Sequence, residues 1–404
     1  SGGALANSSS LVDIYDSALI GNDAGFSGGA IRTFGPTAVT NLTRVTIDGN
    51  TAISNGGGLS VVSGASVNIV ESTISQNGAL PNNLDASSLP ASSSSVFCSG
   101  GPIGQTFVPG TAGLRSYEFH VRLSGGPNPV PTDLVVPGAV RLGANGTQIA
   151  SASAILPGGL PGGSVVPLQF KLEHPVALIP GDLYSIEMFL NGPFSLLLSA
   201  NPYPEGQRYS CTGVLTSSDA SFETMGGTPS GGGGIYAAED SFVGMSNSTI
   251  SGNVGDGALA GPGGIATPST PGGIVATTFS TVTNNSDNGL TAQVGSLNGL
   301  VFITGAIVAE NGGSDCDGDT TSSGFNLVGD DTNCVYTATN GDMFGTSLFP
   351  IDPQLGPLQD NGGLTFTHEP DPSSPAVDAG GTCALATDQR GNTRPQDGCD
   401  IGSV

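Results

Sequence analysis

The chain has 404 residues, with 65 Gly, 28 Pro, no Trp and only 10% charged side chains. Its 33 acidic residues against nine basic ones give a net charge of −24. That disfavours nucleic acid and anionic membrane surfaces as partners, since such affinity rests on Lys and Arg neutralising phosphates. The longest apolar run, residues 299–309, is too short to span a bilayer, so no transmembrane segment is read. No signal peptide is visible, and the opening "SGGAL" reads as the ordered part of a longer protein. Glycine and proline at this level suggest disorder unless they recur at a fixed spacing. Six cysteines beside a single lysine, Lys171, point to an oxidising compartment, with the pairing left open by the count alone.

Residues 1–83 supply the spacing. "ALIGN" ends at Asn22, "TIDGN" at Asn50 and "TISQN" at Asn77, steps of 28 and 27. The same phrase returns as "TISGN" at Asn253, "TVTNN" at Asn285 and "IVAEN" at Asn311, steps of 32 and 26. An aliphatic stands three positions before each: Leu19, Ile47, Ile74, Ile250, Val282 and Val308. Glycine pairs at 2–3, 28–29, 56–57 and 232–233, and again at 263–264, run in phase with them. Between the markers the chain alternates as half-buried strands do, with no helical period.

The fold this predicts is all-β: a right-handed parallel β-helix with coils of 26–32 residues. The aliphatics form an internal stack, since one coil alone cannot bury its apolar face. The asparagines occupy bends, tolerate the left-handed conformation and hydrogen-bond from coil to coil.

Residues 84–228 break the period. Alternating segments such as "SYEFHVRLSG" and "VVPLQFKLEHPVALIPGDLYSIEMFL" predict an antiparallel β-sandwich insert. Cys98 and Cys211 bracket it, where a Cys98–Cys211 bridge would pin the exit beside the entry. Ile74 and Asn77 should therefore neighbour Ile250 and Asn253. Through "GQTFVP", "PVALIPGDLYSIEM" and "YSC" the insert resembles jelly-roll sandwiches of secreted bacterial proteins, some presumed to bind carbohydrate. Tyr117, Tyr184, Tyr203 and Tyr209 read as core or rim residues.

The β-helix resumes over 229–340 and is followed by a C-terminal region, 341–404. Asp315, Asp317 and Asp319 alternate as calcium-loop ligands do, without the terminal bidentate Glu, and calcium is the one cofactor they suggest. Asp330 and Asp331 are adjacent and so point to opposite faces of a strand. His120, His174 and His368 are scattered, and no catalytic residue is assigned. Sequons stand at Asn7, Asn41, Asn145, Asn247 and Asn284.

"DCDGDTTSSGFNLVGDDTNC" and "CALATDQRGNTRPQDGCDIG" resemble the C-terminal part of bacterial surface proteins with parallel β-helix repeats and a choice-of-anchor Q domain. The resemblance implies export to the cell surface and bridges Cys316–Cys334 and Cys383–Cys399. Read from its residues, the same region would cap the end of the helix, with Arg390 and Arg394 paired structurally among Asp378, Asp388, Asp397 and Asp400.

The expected function is a non-enzymatic extracellular structural or adhesive protein of the bacterial surface, with the sandwich displayed as a binding module. An uncapped N-terminal end would allow head-to-tail self-association into a filament. The alternatives are a carbohydrate-binding adhesin recognising a surface glycan and a polysaccharide-degrading β-helix enzyme.

Overall fold

The computed structural model describes residues 2–89, 101–125, 130–144, 146–189, 194–199, 203–209, 218–229, 231–262, 272–294, 298–395 and 398–404, with the backbone of 91–96. Among them the chain is all-β, without a helix. It divides into two compact units, residues 1–79 with 229–404, and residues 80–228.

In the first unit every pairing between named strands is parallel, and register partners are successive copies of the repeat. One repeat contributes Leu59–Val62, Ser66–Val70 and Thr73–Ser75, and the next contributes Gly232–Ala237, Phe242–Ser246 and Thr249–Ser251. Ile74 is the register partner of both Ile47 and Ile250, although residues 80–228 separate it from the latter. The column continues from Leu19 through Ile47, Ile74, Ile250, Val282 and Val308 to Val328. All but half-buried Leu19 are buried, in a core whose fully buried members include no aromatic ring. Aliphatics suffice because each packs on its own copy in the next repeat.

The bends are made differently from the sequence expectation. The ladder asparagines do not take the left-handed conformation; the residue before each does. Gly21, Gly49, Gln76, Gly252, Asn284 and Glu310 all have positive φ, and so do Asp16, Arg44, Glu71, Asn247, Phe279 and Gly305, five residues earlier in each repeat. Two left-handed bends thus flank each short strand, leaving the asparagine free to aim its amide along the array. At the other marker Gly28 and Gly56 have φ of +69° and +65°. A Cβ on Gly29 or Gly57 would run into the carbonyl oxygen of the equivalent glycine one repeat on.

Residues 341–404 depart from the expected cap. Met343–Phe344 adds one more parallel strand, beside Leu327–Val328. Beyond it the chain runs along the side of the array, across strands from five successive repeats. Thr365 and Phe366 bond to Glu71 and Thr73, and buried Gln389 reaches Ser72, Thr73 and Thr249. Ser403 bonds to Thr249 and Thr281, while Ala376 and Ile401 pack with Ile307, Ala309 and Leu327. Outward hydroxyls on the first three strands give this segment its attachment points. Arg390 pairs with Asp388 and Glu369 at 2.8 and 3.0 Å. Arg394 lies 4.9 Å from the Phe279 ring centroid and donates to the Gly402 carbonyl. Asp397 lies outside the described residues.

In the second unit the pairings are antiparallel, in one sheet of eleven strands among the described residues. Gly113–Leu123 is central, pairing with Val165–Ala177, Phe194–Ser199 and Phe222–Gly226. Its core is aromatic: Tyr117 stacks on Phe170 at 4.8 Å, and Phe119 meets both edge-on. Buried Glu187 accepts from Arg141 Nε at 2.7 Å and from the Tyr209 hydroxyl at 2.9 Å. Tyr117, Tyr184 and Tyr209 are core residues, and Tyr203 is half-buried. Cys98 and Cys211 lie outside the described residues.

Candidate functional site

The asparagine column ends in a concavity lined by four carboxylates, Glu310, Asp315, Asp330 and Asp352. Asn22 donates from its backbone N and its Nδ2 to Asn50 Oδ1, both at 2.9 Å. Asn50 does the same to Asn77, Asn77 to Asn253, Asn253 to Asn285 and Asn285 to Asn311. Asn311 donates to Asp315 Oδ1 at 3.1 and 2.8 Å. Every amide therefore points the same way, and the chain closes on a carboxylate. Aligned donors polarise one another, and an ionised acceptor strengthens the last pair.

A parallel column escaped the sequence reading. Val45 N donates to Ser72 Oγ, Ser72 N to Ser248 Oγ and Ser248 N to Ser280 Oγ. Each hydroxyl donates to the backbone carbonyl two residues earlier. The signal was present, since each serine stands two positions before the column aliphatic.

Asp315 is buried and also accepts from Asp330 N at 2.7 Å. With Glu310, Asp330 and Asp352 it lines a pocket of about 350 Å³ whose floor includes Asn311 and Ile351. Burial, then the charges of Asp352 and Asp315, pushes the Glu310 carboxyl up from its usual value. Burial raises Asp315 too, against the opposing pull of its bonds from Asn311. Burial favours the neutral form of both carboxyls. No His, Lys or Arg lines the pocket.

Asp315, Asp317 and Asp319 are not brought together. Asp315 ends the column, half-buried Asp317 pairs in register with Thr291, and exposed Asp319 accepts from Asn298 Nδ2. Among the described residues no group of three or more His, Cys, Asp or Glu is placed to hold a metal ion. Asp331 accepts from the Tyr336 hydroxyl. His368 is buried between Ser251 Oγ and the Gly356 carbonyl, and burial holds its pKa below the usual value. His120 lies between Glu118 and Ser221 in the second unit, where Ser221 is fully buried. Disulfides join Cys316 to Cys334 and Cys383 to Cys399. Asn247 is buried against Thr387 and Arg394, which closes that sequon, and Asn145 lies outside the described residues.

No family model matches the chain, and no curated protein matches it. Among solved structures it is similar to a crystal structure of the Agl-KA catalytic domain, at 12% identity over 59% of each chain, with a TM-score of 0.19. The chain thus spans less than two thirds of that structure, and a likeness at this level carries no argument.

Proposed function

We propose that the parallel unit is a right-handed β-helix and that the protein is a non-enzymatic, extracellular structural or adhesive element of a bacterial surface. Residues 80–228 are its inserted jelly-roll-like module. The observation that carries this reading is the unbroken run of stacked aliphatics and aligned asparagines through six successive repeats, which suits a rigid scaffold. Two disulfides are consistent with an oxidising setting. The test is incubation of the purified protein with neutral and acidic polysaccharides. Release of reducing ends or unsaturated uronates above the blank would contradict it.

A second reading, end-to-end self-association, rests on the strand Leu11–Ile20. Among the described residues it pairs only with Val39–Asp48, and it exposes Leu11, Tyr15 and Ile20. The net charge of −24 makes a contact between copies repulsive at low salt. Sedimentation velocity should then show elongated species growing with salt. One monomeric boundary at all salt concentrations would contradict it.

A further inference from the structure

Three neighbouring strands of the parallel unit, Phe242–Ser246, Ile274–Thr278 and Leu300–Thr304, share one burial pattern with alternate side chains outward. Their register sets Phe242, Ile274 and Leu300 in one outward row and Gly244, Ala276 and Phe302 in the row beside it. The Phe242 ring fills the space that a Cβ on Gly244 would need, coming within 2.8 Å of it. The ring thus reaches across Gly244 by its edge, and Phe242 remains 38% exposed.

The two rows lead into a groove of about 460 Å³, lined by Leu300, Asp319, Thr321, Val335, Tyr336 and Thr337, among others. Tyr336 is fixed there on two sides. It stacks on Phe344 with centroids 3.8 Å apart and planes within 10°, and its hydroxyl donates to Asp331 at 2.7 Å. The exposed hydroxyls of Thr321 and Thr337 have no hydrogen-bond partner among the described residues. From Phe242 to Val335 the register counts four strand-to-strand steps. At about 4.8 Å each, the lane is roughly 19 Å long.

We infer that this lane and groove bind a neutral polysaccharide chain. Sugar rings present apolar C–H faces that pack on flat aromatic surface, and hydroxyls at their edges that need donors and acceptors. Phe242 and Tyr336 supply the first, and Asp319, Thr321 and Thr337 the second. The volume lies in the range of ligand sites, and the length fits several sugar units. Charge decides against an acidic polymer: no basic residue lines the groove, Asp319 faces it, and the whole chain carries −24. The inference rests on the adhesive reading above in that the glycan is held rather than cleaved.

The full chain should be run through native gels containing hydroxyethylcellulose, xylan or galactomannan, with polygalacturonate as the acidic comparison. At least one neutral polymer should retard it. Phe242→Ala and Tyr336→Ala should each weaken that retardation at least tenfold while the circular dichroism spectrum is kept. Tyr336→Phe, which retains the ring, should still bind. The inference is overturned if no neutral polymer retards the protein, if only polygalacturonate does, if the alanine variants bind like the parent, or if Tyr336→Phe does not bind. Reducing ends released from a bound neutral polymer would instead overturn the non-enzymatic reading and leave the groove standing. Absence of both retardation and release would overturn the groove alone.

Discussion

The two units solve the burial of polar groups in opposite ways. The antiparallel unit assembles its polar interior from unlike residues, with Glu187 held by Arg141 and Tyr209 and buried Gln105 held by Asp219 and Ala220. The parallel unit spreads its polar interior along the molecule, repeating one asparagine and one serine bond pattern in copy after copy. A repeat needs only one satisfied polar arrangement, because translation to the next copy satisfies it again. The antiparallel sheet has no such symmetry and must assemble each network from unrelated residues.

That contrast breaks most sharply at Glu187. Its replacement by Ala should cost about 3–5 kcal/mol, because Arg141 and Tyr209 lose a buried ionic partner together. Urea unfolding measures it, and a loss under 1 kcal/mol would mean the cluster is peripheral. In the parallel unit the effect should depend on position. Asn77→Ala cuts the column at its fully buried middle and should cost about 2–4 kcal/mol. Asn22→Ala, at the half-buried end, should cost about 1 kcal/mol or less. Equal losses at both sites would contradict a column that gains from its neighbours. Because the two hydrophobic cores are separate clusters, the Glu187 and Asn77 losses should add in the double variant.

Repetition also explains what could be read in the sequence. Ile74 and Ile250, or Asn77 and Asn253, touch their own copies, so a shared phrase reports shared position across residues 80–228. The left-handed bends were misplaced by one residue because asparagine tolerates that conformation in general. Here its side chain is committed to the column, and Gln76 or Glu310 takes the strain instead. The lateral course of the C-terminal segment was illegible for the opposite reason. Gln389 and Ser403 meet Thr73, Thr249 and Thr281, partners unlike themselves and outside any period. The acidic pocket draws on Glu310, Asp315, Asp330 and Asp352 after the repeats have lost their regular length. The Phe242 lane depends on a glycine two residues away, which reads in sequence as just another glycine.

Acidity tests the cost of the repeated design at a smaller scale. Asp256 is buried, and burial followed by the Asp287 charge pushes its pKa from 3.8 to about 7. A carboxyl raised on folding stabilises fully below its unfolded value, and that contribution is lost as pH rises through the folded one. The melting temperature should therefore fall between about pH 4 and pH 7, and Asp256→Asn should flatten that fall. The raised Glu310 and Asp315 act in the same direction. His368 acts in the other, since its lowered pKa gives stability that is lost as pH falls below about 6.5. A variant with the parent's full pH slope would remove Asp256 from the account.

The smallest effect is a gain. Gln76 has a φ of +53°, where Gly21, Gly49 and Gly252 stand at the equivalent positions. Gln76→Gly should stabilise by about 0.5–1 kcal/mol, seen as a higher urea midpoint, and a lower midpoint would show that its side chain matters more than its backbone.

The central claim is that the repeats on either side of residues 80–228 form one array. Val70 and Ser246 are register partners on adjacent parallel strands, both half-buried. Their Cα atoms are then about 4.8 Å apart, within disulfide reach. The double variant Val70→Cys with Ser246→Cys, oxidised and digested, should yield a linked peptide pair by mass spectrometry. Two unlinked peptides carrying free thiols would contradict a continuous array.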